Sequence, residues 1–296
     1  MAALLRSPLF WLTATLLLYQ GARLLYARTR LFLLHPVPIL ITGYHSQFDN
    51  LAITVGLAGV LLMERAGIDD RRPRWPWVAG VAVLGLSLVV KHILVVLPLW
   101  LALRQPSLPR AAVVLFVPPA ILAASFLPWA ADGGAGIVAN VVEYRSFDNA
   151  PFLTWIMPPI VARLITPTML LGAALLAVGW LVRHRPPAEL LLVYTVTVVV
   201  FAPAIANQYL AIPAAATAAL PNLGYAAYAV VTGLFLAADP SNLDLAWLAD
   251  ALPGNLVRRE TDDLAWGHLV ALLALGLAIT LVETVRSRFA AQEHRP

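Results

Sequence analysis

The stretch "TGYHSQFDNLAI" places Tyr44, His45, Ser46, Gln47, Asp49 and Asn50 between two apolar runs. An imidazole, a carboxylate and two amides in so short a space can move a proton and hold sugar hydroxyls. His45 and Asp49 stand at i and i+4 and share a face if the stretch is helical. Asp49 is therefore a candidate catalytic carboxylate, with Tyr44, His45, Gln47 and Asn50 as candidate substrate-binding groups. A plainer role is open beside it: Ser46 capping a helix that starts at the interface, and Asp49 complementing the dipole of its first turn.

Lys91 is the second candidate. Of the 20 basic residues it alone is lysine; the other 19 are arginine. An isolated lysine near a helix end commonly snorkels to lipid headgroups. A compact ammonium also meets a phosphate as a point charge, which a planar guanidinium does with different geometry. Third comes "VVEYRSFDNAPFLTW", where Glu143, Arg145 and Asp148 lie among Tyr144, Phe147, Phe152 and Trp155. Carboxylates for hydroxyls beside an aromatic face suit a sugar ring; an interfacial aromatic belt with a solvated ion pair fits the same residues. "NQYLAIP" adds Gln208 and Tyr209 at the end of an apolar run.

The elements that would position these groups are helices in a membrane. Hydrophobic residues make up 60% of the 296 and charged ones 12%, about half the charged share of a soluble domain. Uninterrupted Leu/Ala/Val blocks recur along the whole chain and lack the alternation of a β-barrel, so the fold class expected is all-α, a polytopic membrane helical bundle forming a single domain. Hydrophobic segments are expected near 8–26, 31–43, 48–65, 77–90, 92–103, 111–130, 159–182, 187–206, 208–221, 225–238 and 266–285. Several are too short for a full span and read as half-helices. The N-terminal run lacks a small-residue cleavage site and reads as a retained span. The net charge of +4 is spread over short loops and does not indicate a nucleic-acid partner. No cysteine is present, so disulfides and thiolate metal sites are excluded. No metal, nucleotide or hydrolase motif appears, and no cofactor is expected.

Arginines set the orientation. "GIDDRRPRWP" (67–76), "RQPSLPR" (104–110), "RHRPP" (183–187) and "VRSRF" (285–289) read as cytoplasmic. The alternation closes only if "WPWVAGVAVLGLSLVVKHILVVLPLWLALR" is a hairpin turning at Lys91 and His92. The cluster at 44–50, Lys91, the loop 131–158, the Asn207 turn and the acidic loop 239–265 then share the extracytoplasmic side of what the Ala/Arg/Gly/Pro-rich composition suggests is a bacterial cytoplasmic membrane. Polar patches that converge at membrane depth mark a site or pathway.

In this order the motifs resemble those of polytopic GT-C glycosyltransferases, most nearly bacterial relatives of the dolichyl-phosphate-dependent mannosyl- and glucosyltransferases. "PILITGYHSQFDN" is similar to that family's segment at an extracytoplasmic helix start. "LSLVVKHILVVLPLWLAL" looks like its lysine turn between short helices, "VVEYRSFDN" like its Tyr-Arg-Ser loop, and "NQYLAIP" like its late Gln-Tyr segment. The resemblance covers about residues 30 to 220. It implies a GT-C-like fold and inverting transfer of a hexose, mannose first, from a polyprenyl-phosphate donor to a glycan, lipid or protein acceptor. Lys91 and Arg145 would then stabilise the leaving phosphate. The chain departs from the family in one respect: about 40 residues precede the His-x-Gln segment, and they hold no acidic residue where the family carries its catalytic aspartate. Asp49 is the internal substitute. The alternatives are a non-catalytic binder or flippase of lipid-linked sugar, or a fragment that works with a partner subunit bearing the missing loop.

Overall fold

The computed structural model describes residues 35–38, 40–41, 49–67, 74–139, 150–239, 243–251 and 262–293. Among these the secondary structure is helical throughout. Helix α1 spans Asp49–Arg65, α2 Trp75–Val90, α3 Leu97–Ala102, α4 Leu108–Ser125 and α5 Ala130–Ile137. A π-turn at Phe152–Ile156 and the short α6 (Pro159–Ala162) lead into α7 (Pro167–Val182) and α8 (Pro187–Val200). After a 3-10 turn at Asn207–Ala211 come α9 (Ala214–Ala219), α10 (Leu223–Ala238), α11 (Ala246–Ala251) and the long α12 (Asp262–Glu293).

Small residues let these helices touch backbone to backbone. A Cβ on Gly59 would stand 2.7 Å from the Gly80 carbonyl oxygen, and one on Gly56 3.3 Å from Ser87 Oγ, so α1 and α2 run antiparallel. Trp77 at the start of α2 lies under the guanidinium of Arg110 at the start of α4, 4.4 Å from the ring centroid. Further along, a Cβ on Gly85 would meet Ile121 at 2.5 Å. Those two contacts make α2 and α4 parallel, which leaves 92–102 as the return arm between them. The hairpin expected at Lys91 is present. Lys91 ends α2 in an extended conformation (φ −161°, ψ 129°), His92–Leu94 form a 3-10 turn, and Pro98 opens the first turn of α3.

Three of the arginine loops, 104–110, 183–187 and 285–289, gather at one end of the bundle; residues 68–73 of the fourth lie outside the described residues. Arg104 donates to the carbonyls of His184 (2.7 Å) and Arg185 (3.0 Å), and Arg288 donates to that of Leu181. These are the carbonyls a helix C-terminus leaves without partners, and cations there also complement the dipole of α7. Arg185 reaches Thr284 Oγ1 at 2.7 Å, the Thr280 carbonyl at 3.2 Å and Glu189 at 2.8 Å, tying α8 to α12. Burial and the nearby Arg288, Arg183 and Arg104 hold the His184 imidazole below its ordinary pKa. Gly67 takes φ 79° just after α1, a left-handed position that glycine adopts without steric cost. The opposite end collects Asp49, Lys91, Thr166 and Tyr209, together with the Phe152–Phe201 ring pair (4.5 Å between centroids).

Some expected segments differ in extent. The segment 159–182 is not continuous: α6 stops after Ala162, and α7 restarts at Pro167 behind Thr166, whose hydroxyl accepts from the Met169 N–H at 3.2 Å. Proline at the first helical position with a threonine cap is a start signal inside an apolar run. The expected loop 131–158 begins as helix, because α4 passes through a 3-10 turn at Leu127–Trp129 into α5. Segment 208–221 resolves into the 3-10 turn at Asn207–Ala211 and the six-residue α9. Among the described residues two stretches are long and apolar enough to cross a membrane, Leu108–Ile137 and Ala265–Ala290; of the first, 11% of the apolar window is buried against the rest of the chain. Apolar helices of 10–17 residues accompany them, α2, α7, α8 and α10.

Candidate functional site

Asp49 and Lys91, far apart in sequence, meet at the end of the bundle opposite the arginines. Lys91 Nζ lies 2.5 Å from Asp49 Oδ1; the aspartate side chain is 1% exposed and the lysine 28%. Local structure explains both placements. Asp49 opens α1, where a negative charge complements the helix N-terminus. Lys91 sits on the irregular residues between α2 and the 3-10 turn, and antiparallel packing of α1 on α2 brings the start of one to the end of the other. Asn50, also buried, follows Asp49, and its carbonyl accepts from Thr54 Oγ1 at 2.6 Å.

The turn that carries Lys91 is pinned from behind by Tyr194 of α8. Its phenol donates to the Ile93 carbonyl at 3.0 Å and accepts from the Val96 N–H at 3.3 Å. Both backbone groups belong to the turn and lack helical partners, so the tyrosine supplies what the backbone cannot. The ring stands edge-on to Trp100 of α3, 5.3 Å between centroids, and Trp100 fits because residue 179 of α7 has no side chain.

In front of Lys91 opens a cleft of about 650 Å³. Its mouth holds Lys91, His92, Thr166, Thr168 and Tyr209; its walls descend α7 through Leu171 to Leu175 and α8 through Val198 to Tyr194. The N-terminus of α7 faces this mouth and adds positive potential there. Asp49 does not line the cleft. It stands behind the lysine as a buried counter-ion, fixing an ammonium whose other side meets the cavity. No carboxylate among the described residues lines the cleft, and among them no group of three or more His, Cys, Asp or Glu side chains could hold a metal ion.

Of the residues singled out in the sequence, Lys91 and Tyr209 share the cleft, and Asp49 with Asn50 abuts it through Lys91. Gln208 lies on the same 3-10 turn as Tyr209 but off the cleft wall; the neighbouring Asn207 donates to Asp239 at 2.7 Å. Tyr44, His45, Gln47, Glu143, Arg145 and Asp148 lie outside the described residues. Three contributors were not singled out beforehand: His92, Tyr194 and the Thr166–Thr168 turn. The Thr-Pro pair was a readable cap, whereas Tyr194 sits in "LLLVYTVTVVV" and looks like any core tyrosine.

No family model matches the chain, and neither a curated protein nor a solved structure matches it.

Proposed function

We propose that the chain is an integral membrane protein that binds a polyprenyl-phosphate-linked hexose in the Lys91 cleft and takes part in hexosyl transfer on the extracytoplasmic face. One observation carries the reading: the one lysine of the chain stands at the polar mouth of a cleft with mostly apolar walls, held by a buried carboxylate. An amphiphile with one phosphate and a hydrocarbon tail matches that arrangement. The membrane setting is supported by the apolar, outward-facing surface of Leu108–Ile137, where Phe116, Leu127 and Trp129 are each about two-thirds exposed or more. Water would not tolerate so continuous an apolar surface on a monomer. The clustered arginines support a cytoplasmic side for their own end, by the positive-inside rule, and the opposite side for the cleft.

Within this reading Lys91 steadies the phosphate as it departs, and Asp49 positions Lys91. Asp49 is not the base. An inverting displacement has the attacking hydroxyl and the leaving phosphate on opposite faces of the sugar carbon, so base and cation stand apart by the width of a ring. Asp49 and Lys91 are in contact. The base is then supplied from outside the described residues or by a partner subunit.

The absence of a carboxylate among the described cleft residues favours a second reading, a lipid-linked-sugar binder that serves such a partner without catalysing transfer itself. The deciding experiment supplies purified protein in lipid nanodiscs with polyprenyl-phosphate mannose and candidate acceptors, and follows release of polyprenyl phosphate. Release that depends on Lys91 supports the transferase. Saturable binding without release supports the binder, and neither binding nor release overturns both.

A further inference from the structure

The arginine end of the bundle carries more positive charge than its own carboxylates answer. Arg185 is matched by Glu189 at 2.8 Å, and Glu64 lies within electrostatic reach of Arg104. Arg183 and Arg288 have no such match: among the described residues neither forms an ion pair with a carboxylate. Glu283, earlier on α12, lies toward Tyr225 of α10. Both arginines are drawn instead to the last turn of α7, where Arg183 donates to the Trp180 carbonyl at 2.7 Å and Arg288 to that of Leu181. A guanidinium has five N–H donors, and these bonds commit one on each side chain. The Nε of Arg288 is buried without a hydrogen-bond partner. The dipole of α7 offers about half a negative charge to the pair, which leaves it net positive. The His184 imidazole beside it feels that potential: after burial, Arg288 and Arg183 are the largest causes of its lowered pKa.

This charge sits where two apolar stripes end. Leu176 and Trp180 share a face of α7, Val282 and Phe289 share a face of α12, and all four are about half exposed or more. The Arg183 guanidinium lies over the Trp180 ring, 3.7 Å from its centroid. Arginine beside an exposed tryptophan at the end of an apolar stripe suits the boundary between headgroups and hydrocarbon. We infer that the seam where α7 meets α12 binds an anionic phospholipid of the leaflet on the arginine side. Arg183 and Arg288 hold its phosphate, which accepts the N–H groups the carbonyls leave over, and its acyl chains lie along Leu176 and Val282. Charge and hydrocarbon together select a lipid: a free phosphate would leave the stripes bare, and a zwitterionic lipid would bring its own cation to the arginines. The site stands at the opposite end of the bundle from the Lys91 cleft and needs only the membrane setting, not a lipid-linked sugar. A lipid bound there bridges α7 and α12, and so steadies the helix that forms one wall of that cleft.

The test places the full chain in nanodiscs of phosphatidylcholine doped with phosphatidylglycerol and counts the lipids retained by native mass spectrometry. Wild type is expected to retain phosphatidylglycerol over phosphatidylcholine by about tenfold. Arg183→Gln/Arg288→Gln should cut that preference to about twofold or less, while Arg65→Gln/Arg286→Gln, which removes the same charge from exposed positions at the same end, should keep it. A second measurement needs no variant: phosphatidylglycerol carrying a diazirine on its acyl chain should crosslink to wild type within residues 176–180 and 282–289. Equal losses in the two double variants, equal retention of the two lipids, or crosslinks confined to other helices would overturn the inference. Complete displacement by inorganic phosphate would reduce the site to a phosphate site without a lipid, and overturn it as well. Loss of the preference in Asp49→Asn/Lys91→Met would put the anionic lipid in the cleft and not on the seam, whereas a preference that survives that variant separates the two sites.

Discussion

Removing the Lys91 ammonium should cost more than removing the Asp49 charge, although the two groups form one ion pair. At 2.5 Å and an effective dielectric of about 20, the pair attracts by roughly 6–7 kcal/mol before desolvation is counted. What survives as net stability depends on what each deletion leaves behind. Lys91→Met strands a carboxylate that is 1% exposed, a situation that typically costs about 3–5 kcal/mol. Asp49→Asn leaves a lysine already 28% exposed, which can extend toward water at the cleft mouth for about 1 kcal/mol. The double variant Asp49→Asn/Lys91→Met has no stranded charge and should lie within about 1 kcal/mol of wild type. The cycle therefore yields a coupling of about 3 kcal/mol or more. The assay is reversible denaturant unfolding in mixed micelles, with the four proteins compared under one condition. Additive losses would refute the pairing, and a larger loss from Asp49→Asn than from Lys91→Met would refute the account of which partner is buried.

Further predictions follow from the packing and the orientation. The chain has no cysteine, so Thr168→Cys at the cleft mouth and Leu108→Cys at the arginine end can be labelled without background; an impermeant thiol reagent on intact cells should modify the first and reach the second after lysis only. The reverse pattern would invert the topology. Gly59→Val should destabilise by more than about 2 kcal/mol because its Cβ would press 2.7 Å from a backbone oxygen, whereas Gly134→Ala, with open space around it, should be neutral or gain up to about 1 kcal/mol from helix propensity. Equal effects in an unfolding titration would count against the α1–α2 crossing. Arg185→Met, which removes bonds to Thr284, Thr280 and Glu189, should loosen α8 from α12 by about 2–3 kcal/mol; amide exchange in the last turns of α12 should rise, and unchanged protection would deny the tie.

Much of this architecture can be read from residue types. The lone lysine between two apolar runs, set against arginine-bearing loops, requires a hairpin at Lys91, and α2 and the 92–102 arm form one. The helix starts at Asp49, Pro187 and Leu223 fall close to where the apolar runs begin. The site itself is less legible because it is made by pairings between distant segments. That Asp49 faces Lys91 and not the cavity depends on how α1 crosses α2, which Gly56, Gly59 and Gly80 permit but do not announce. Tyr194 is hidden for a different reason: a tyrosine amid valines and leucines reads as core, and its task of satisfying Ile93 and Val96 exists only once the turn is folded. The break before Pro167 was hidden by hydropathy, which runs on through a cap that local chemistry marks.

On the proposed reading, Lys91 holds the phosphate of a lipid-linked sugar. The most direct measurement is the affinity of polyprenyl-phosphate mannose, relative to the uncharged polyprenol, for wild type, Lys91→Arg and the Asp49→Asn/Lys91→Met double variant in nanodiscs. Wild type should prefer the phosphate at least about tenfold, the arginine variant should retain part of that preference because its planar head displaces the charge, and the double variant should show none. An equal preference in all three proteins would contradict the claim and return Lys91 to the membrane interface.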